Sequence, residues 1–253
     1  PQFGPFGRTA STNLLFAGYS SMYNALQVKL DRRFTSGLSV TTAYTWGKGM
    51  AFQQGDDGGA MFYINFRRNY ARNDFDRTHT FVQSYIYNLP FGKGQKFLHS
   101  GLASSIIGGW RVNGILTLMS GTPLNFSASG NGINAPGNSQ TPDQVAPITL
   151  PKGINVGNEW FSRASFAVPA TGLFGNIGRN AISGPGFYNL DFSLFKIFAF
   201  TERMNLEVRA ETFSLTNTPQ FSNPNTALGN ASFGFITGAG GGRQMQLGMK
   251  LSF

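Results

Sequence analysis

MQLGMKLSF, residues 245–253, alternates apolar and polar side chains without a break. The apolar side carries Met245, Leu247, Met249, Leu251 and Phe253. A period of two is the signature of a strand with one apolar and one polar face. An alternating strand that ends on an aromatic residue is typical of bacterial outer-membrane β-barrels, in which the last residue helps the assembly machinery to recognise the chain. The segment therefore predicts a barrel strand, with Phe253 in contact with that machinery.

The composition agrees with this prediction. Charged residues make up 12% of the 253-residue chain, about half the usual share, whereas Gly (33) and Phe (25) are abundant. Walls of transmembrane barrels are apolar outside and polar inside. No apolar run approaches the roughly 18 residues that a transmembrane helix needs. The absence of cysteine excludes disulfides and thiolate chemistry.

The net charge of +9 comes from basic residues that are scattered along the chain. The densest group is Arg67, Arg68 and Arg72. Nucleic-acid binding needs a clustered basic patch or stripe. We therefore predict no nucleic-acid partner, and we expect the basic residues to be solvated or to lie beside lipid headgroups.

Seven segments are predicted to be strands, and their connections differ in length in a regular way. The segments are residues 23–34, 38–46, 78–89, 110–120, 188–198, 204–214 and 244–253. Short or medium connections (35–37, 90–109, 199–203) alternate with long ones (47–77, 121–187, 215–243). Outer-membrane barrels have short periplasmic turns and longer extracellular loops. The sequence thus predicts an all-β, antiparallel, up-and-down transmembrane β-barrel segment with its long connections outside.

Charge decides which face of each strand meets lipid. In the segment 204–214, the reverse orientation would place Glu207, Arg209 and Glu211 toward lipid. An Arg near the middle of the membrane costs roughly 2–4 kcal/mol. We therefore predict that the polar face lines the lumen, where it could hydrogen-bond a plug. The predicted lumen-facing residues are Lys29, Asp191, Glu207, Arg209, Glu211 and Lys250.

Aromatic residues fall where the membrane interfaces are expected. Tyr44 and Trp46 end an ascending strand, which places them at the outer interface. The inner interface receives Tyr85, Tyr87, Trp110 and Phe253. Amphipathic rings settle at headgroup level, although aromatic residues are also common in strands of any kind.

The long connection 127–186 is the best candidate for ligand contact. Its candidate residues are Trp160, Phe161, Phe166 and Phe174. Such rings could stack on a sugar or hold an apolar solute. The alternative is that they fold the loop onto itself or onto neighbouring loops.

The segment DFDRTH, residues 74–79, gathers Asp74, Asp76, Arg77 and His79. Two carboxylates and an imidazole could form a metal or acid–base site. The favoured interpretation is a charge cluster at the mouth of a strand that pairs with Arg67, Arg68 or Arg72. We predict no catalytic, cofactor-binding or metal-binding residue, and thus no enzyme.

Six segments together resemble a known family. They are SMYNALQVKLDRRFTSGLSVTTAYTWGK (21–48), NDFDRTHTFVQSYIYNLPFGKGQKF (73–97), GGWRVNGILTLMSGTPLNF (108–126), NLDFSLFKIF (189–198), LEVRAETFSLTNTPQFSNPNT (206–226) and RQMQLGMKLSF (243–253). In order and spacing they resemble the C-terminal β-barrel part of Oar-like TonB-dependent receptors of the acidobacterial type.

The resemblance implies a barrel of about 22 strands closed around a plug, with energised uptake driven through the TonB complex. Residues 1–253 would be the C-terminal portion of that one barrel domain. Its partners would be outer-membrane lipid, the N-terminal strands and plug of the same protein, the TonB complex and a solute that no motif identifies. Two alternatives stay open. One is a structural or adhesive surface protein on the same barrel, and the other is a soluble carbohydrate-binding β-sandwich.

Overall fold

Seven long strands form one sheet in the computed structural model, which describes residues 17–55, 59–129, 133, 135, 137–150, 153–201 and 203–253. They are β1 (Ser21–Thr35), β2 (Leu38–Ala51), β3 (His79–Asn88), β4 (Trp110–Met119), β5 (Phe187–Ala199), β6 (Asn205–Phe213) and β7 (Gln244–Ser252). Each pairs antiparallel with the next strand along the chain. This is the all-β up-and-down arrangement that the sequence predicts.

Strand β2 is longer than predicted. Its pairing with β1 continues to Ser21 opposite Ala51, whereas the sequence pattern ends at Trp46. Glycines break the alternation beyond that point because other side chains lie over the backbone there. A Cβ atom at Gly47 would lie 2.7 Å from the hydroxyl of Tyr23, so Gly47 leaves room for the Tyr23 side chain over the backbone of β2.

The register gives the sheet two distinct faces, because residues that face each other across a ladder share a side. We call the apolar face the one that carries the alternating apolar residues of β7. One row of Cα partners on this face crosses six strands, through Leu38, Tyr87, Val112, Leu194, Ala210 and Leu247. The opposite side is the polar face.

Connection length separates the two ends of the sheet. The connections 36–37, 89–109 and 200–204 lie at one end, and the connections 52–78, 120–186 and 214–243 lie at the other. In the two-residue turn, Ser36 (φ 54°) and Gly37 (φ 79°) are both left-handed, as the favoured hairpin turns require. The connection 89–109 contains a short helix, α1 (Gly101–Ile107), which the sequence pattern does not predict.

The long connections have a core of their own. Two-residue strands tie them together, Pro123–Leu124 with Ile182–Ser183 and Asp143–Gln144 with Phe166–Ala167. A further pair joins Gln220–Phe221 to Ala239–Gly240. The buried side chains of this loop core are Leu124, Phe126, Phe161, Phe166, Ile177 and Phe233.

The single sheet excludes the β-sandwich alternative. A sandwich requires the apolar faces of two sheets to pack against each other. The seven long strands instead lie in one sheet, and apolar residues of its edge strands are exposed, for example Leu30 at 65% and Leu247 at 86%. In the described part of the chain, no helix is long and apolar enough to cross a membrane.

Candidate functional site

The structure brings the predicted lumen-facing residues to one side of the sheet, the polar face. Lys29 faces Ala43 across β1 and β2, and Asp191 faces Ile115 across β5 and β4. The other four belong to β6 and β7, namely Glu207, Arg209, Glu211 and Lys250. They share the side that lies opposite the apolar residues of the same strands.

These charges form a ladder across the last two strands. Glu207 lies directly opposite Lys250, and Glu211 lies opposite Gln246, whose amide donates a hydrogen bond to it. Nε of Arg209 lies 3.8 Å from Oε2 of Glu211. The side chain of Arg209 remains 48% exposed, so its remaining donors are available to another surface.

Asp191 has a different role from the exposed charges. Its Oδ1 accepts hydrogen bonds from Nδ2 of Asn189 and from the backbone N–H of Ser214, both at 2.9 Å. The second bond fastens the end of β6 to β5. Ser214 has a positive φ of 54°, so this carboxylate stabilises the left-handed bend at which the strand ends.

Ionisable side chains on the apolar face lie near the ends of the strands. Lys48 and His79 lie toward the long connections, whereas Arg32 and Lys196 lie toward the short ones. The middle of this face carries no Lys, Arg, His, Asp or Glu in the seven strands. Because a charge costs most at the middle of a bilayer, this distribution is compatible with lipid on the apolar face.

The aromatic residues predicted for the interfaces also share the apolar face. Tyr44 and Trp46 lie toward the long connections, whereas Tyr85, Tyr87 and Trp110 lie toward the short ones. The distance along β2 from Leu38, opposite Tyr87, to Trp46 is roughly 26 Å at 3.3 Å per residue. Phe253 follows β7 and is 96% exposed.

The segment 74–79 does not pair as predicted. Asp74 forms its ion pair with Arg179, at 3.5 Å, rather than with Arg67, Arg68 or Arg72. Oδ1 of Asp76 accepts the backbone N–H of Gly49 at 2.7 Å. The cluster therefore fastens the loops to the end of β2, because its members bind backbone and a distant arginine.

The other two members of that segment also have separate partners. Arg77 donates to the carbonyl of Ser120 at 2.7 Å. Nδ1 of His79 lies 2.8 Å from the hydroxyl of Tyr44 on the neighbouring strand. Among the described residues, no three His, Asp or Glu side chains come together as a metal site would require.

Arg179 is a residue that no sequence pattern marks as part of this site. Its side chain is fully buried, and Nη2 donates to the carbonyl of Ala51 at 2.7 Å. Nη1 donates to the carbonyl of Gln53. Burial lowers the pKa of the guanidinium, and the carboxylate of Asp74 opposes that shift. Arg179 thus joins the long connection 120–186 to the extended end of β2.

The aromatic candidates of the long connection have different environments. Phe161 (0% exposed) and Phe166 (7%) lie inside the loop core, with ring centroids 5.2 Å apart. Buried rings present no face to a solute, so the loop-packing alternative describes these two. Trp160 and Phe174 are half-buried. The indole N–H of Trp160 donates to the carbonyl of Ser183 at 2.9 Å, and Phe174 lies edge-on to Phe62 at 6.1 Å.

An open groove of about 670 Å³ lies where the loops meet the apolar face. Strand residues form its floor, among them Tyr44, His79 and Phe81, and the loop residues Ile154 and Phe221 form its rim. The lining is largely apolar and aromatic. Such a groove suits an acyl chain or another apolar group better than a charged solute.

Comparison with known proteins agrees with this architecture. Residues 2–246 match the family described as outer membrane beta barrel domain. No curated protein and no solved structure matches the chain. Proteins of this family lie in the bacterial outer membrane. The match covers nearly the whole chain, and the sheet topology and the two unlike faces agree with it. The chain belongs to the outer membrane beta barrel domain family.

Proposed function

We propose that this chain forms wall and outer loops of a TonB-dependent receptor, which takes up a solute across the outer membrane with energy from the TonB complex. The observation that carries the proposal is the ladder of charges on the polar face of β6 and β7. A lumen that holds a plug needs hydrogen-bonding groups on its wall. Glu207, Arg209 and Lys250 supply them, and the exposed part of Arg209 is available to a plug surface.

In this mechanism the wall holds the plug and guides the solute. The polar face binds the plug, and it provides a hydrated path for the solute once the plug has moved. The apolar face contacts lipid, and aromatic residues mark both interfaces. The chain acts without catalysis.

The edges of the sheet pair with further strands in this proposal. Strands β1 and β7 each have one neighbour in the described sheet. Unpaired backbone groups of an edge strand cost several kcal/mol each in hydrocarbon. Closure of the barrel therefore requires additional strands that pair with both edges, and the plug lies inside the closed barrel.

In this proposal the outer loops bind the solute. Phe161 and Phe166 support the loop core, so we assign contact to surfaces that retain exposed area. Trp160 and Phe174 are half-buried and stay candidates. The rigidity that the loop core provides would hold these rings in place for a solute.

A second candidate function is adhesion, and the loop surface favours it. The connection 120–186 exposes Leu150 (53%), Val168 (59%) and Leu173 (62%). Apolar side chains on a folded loop could bind a protein of another cell. The barrel would then serve as an anchor, and neither a plug nor the TonB complex would be needed.

The test compares bacteria that carry the gene with a deletion strain and a complemented strain. Cells receive radiolabelled ferric siderophore, cobalamin, maltodextrin or oligopeptide, each with and without a protonophore. Uptake of one solute that requires both the gene and the proton gradient would support the proposal. Gene-dependent uptake that survives the protonophore would overturn the energised mechanism. Unchanged uptake of all four, together with a loss of adherence on deletion, would favour adhesion.

A further inference from the structure

The short helix α1 (Gly101–Ile107) exposes large apolar side chains, which is unfavourable for a helix in water. Leu102 is 85% exposed, Ile106 67% and Ile107 47%, whereas Ser104 is buried. A helix on the surface of a water-soluble protein buries its apolar stripe and exposes its polar one. In α1 the apolar side chains are exposed.

The helix lies against the apolar face of the sheet. Nζ of Lys196, a residue of β5, donates to the carbonyl of Ser105 and, at 2.8 Å, to that of Ile106. The indole N–H of Trp110 donates to the same Ile106 carbonyl at 3.0 Å. Lys196 and Trp110 are Cα partners on the apolar face, so α1 is held on the side that faces lipid.

Lys196 would otherwise be an unfavourable residue on that face. Lys196 is 4% exposed. Its Nζ lies 4.6 Å from the ring centroid of Phe198 and 5.5 Å from that of Trp110. The last carbonyls of a helix have no partner within the helix, and a cation there is favourable. The ammonium of Lys196 therefore supplies the donors that the last carbonyls of α1 need. These bonds fix the end of the helix to the wall.

The rest of the connection has the character of a membrane interface. Phe97 (48%) and Leu98 (41%) are exposed beside the helix. Lys93 and Lys96 are exposed, and Nζ of Lys96 lies 5.5 Å from the ring centroid of Phe97. The whole connection 89–109 contains no acidic residue. Apolar groups flanked by lysines suit a layer of phospholipid, with phosphates above acyl chains.

We propose that α1, together with Phe97 and Leu98, forms an interfacial foot that inserts into the periplasmic leaflet of the outer membrane. Leu102 and Ile106 contact acyl chains, Lys93 and Lys96 contact lipid phosphates, and Lys196 holds the foot on the wall. The occupant of this surface is phospholipid, because Lys196 and Trp110, which hold α1, lie on the apolar face of the sheet. The foot requires an outer-membrane barrel and is independent of whether that barrel takes up a solute.

The test uses single cysteines, since the chain has none of its own. The intact protein carries Leu102→Cys, Ile106→Cys or, as a matched control in the same connection, Gln95→Cys. Each is labelled with an environment-sensitive fluorophore and reconstituted into vesicles of phosphatidylethanolamine and phosphatidylglycerol. Acyl-chain nitroxide lipids then report contact with lipid, and aqueous iodide reports contact with water.

We expect the labels at positions 102 and 106 to show blue-shifted emission, strong quenching by nitroxide lipids and weak quenching by iodide. The label at position 95 should show the opposite. Iodide quenching at position 102 equal to that at position 95 would overturn the proposal. Protection of positions 102 and 106 from both quenchers would overturn it in favour of a protein contact.

A second variant tests the anchor. Lys196→Met keeps the apolar stem but loses the bonds to the helix, and we expect position 102 to lose nitroxide quenching while Lys196→Arg retains it. Heat-modifiable migration in gels verifies that each variant forms a barrel, and Lys48→Met, at the opposite end of the apolar face, is the control. Unchanged lipid quenching in Lys196→Met would show that Lys196 does not hold the foot.

Discussion

The guanidinium of Arg179 lies 3.5 Å from the carboxylate of Asp74, although 105 residues separate them in the chain. The same side chain donates to carbonyls at the end of β2. Asn180 reinforces the junction, since its Nδ2 lies 2.6 Å from Oδ1 of Asp74. Arg179 and Asn180 therefore help to connect the loop core to the wall.

Loss of this connection should release the loops. Arg179→Met removes the donors that the carbonyls of Ala51 and Gln53 accept and the ion-pair partner of Asp74, which keeps its hydrogen bond from Asn180. A lost hydrogen bond to a charged group costs about 1.5–3 kcal/mol. We expect protease treatment of intact cells to cleave the connection 120–186 much faster in this variant. The exposed Arg67→Met is the matched control and should leave cleavage unchanged. Equal cleavage in Arg179→Met and in the parent protein would contradict the role assigned to Arg179.

The phenylalanine cluster should dominate the stability of the loops. Phe161→Ala removes a fully buried ring that touches Phe126, Phe166 and Phe233. Large-to-small changes of this kind cost about 3–5 kcal/mol. We expect hydrogen exchange at the backbone amides of the loop core to accelerate accordingly. Leu173→Ala, at an exposed position, should alter exchange by less than about 0.5 kcal/mol, and an equal effect in both variants would refute the cluster as the core.

The assignment of the two faces can be tested on neighbouring residues. Gln246 lies on the polar face and Leu247 on the apolar face of β7. In a chain without cysteine, Gln246→Cys should react with a water-soluble maleimide in outer-membrane vesicles, whereas Leu247→Cys should react only after solubilisation. The reverse labelling pattern would contradict this assignment, because it would mean that the polar face with its charge ladder meets lipid.

A glycine on the apolar face should tolerate no side chain. A Cβ atom at Gly114 would lie 2.5 Å from Cζ of Tyr85, its partner across β3 and β4. Forced repacking of that kind costs about 1–3 kcal/mol. Urea unfolding from lipid vesicles should show that Gly114→Val lowers the free energy of unfolding by this amount. The double variant with Tyr85→Ser should recover part of it, and additive effects of the two changes would contradict the contact.

The strands could be predicted because a barrel wall between two unlike solvents enforces a strict period of two. The bounds of β1 and β3–β7 follow that pattern closely. The extension of β2 could not be predicted, since Gly47 and Gly49 carry no side chain that could alternate. Helix α1 has only seven residues, and its exposed Leu102 and Ile106 become informative only when Lys196 is known to lie beside it.

The loop site was the hardest part to predict. Arg179 binds backbone carbonyls, which every residue has, so no residue type in the sequence marks its partners. Proximity along the chain predicts a nearby arginine as the partner of Asp74, whereas the fold brings in a residue 105 positions away. The rings of Phe161 and Phe166 were visible in the sequence, but packing alone decides whether a ring is buried or free.

The dependence of the outer loops on β2 also dictates an order of events at the cell surface. The carbonyls of Ala51 and Gln53 converge on Arg179 only where β2 is held in place, by β1 on one side and by Ala71–Arg72 on the other. Contacts between distant parts of a chain form late, after the intervening segments have found their places. We therefore expect the contacts of Arg179 to form only after β2 has paired on both sides.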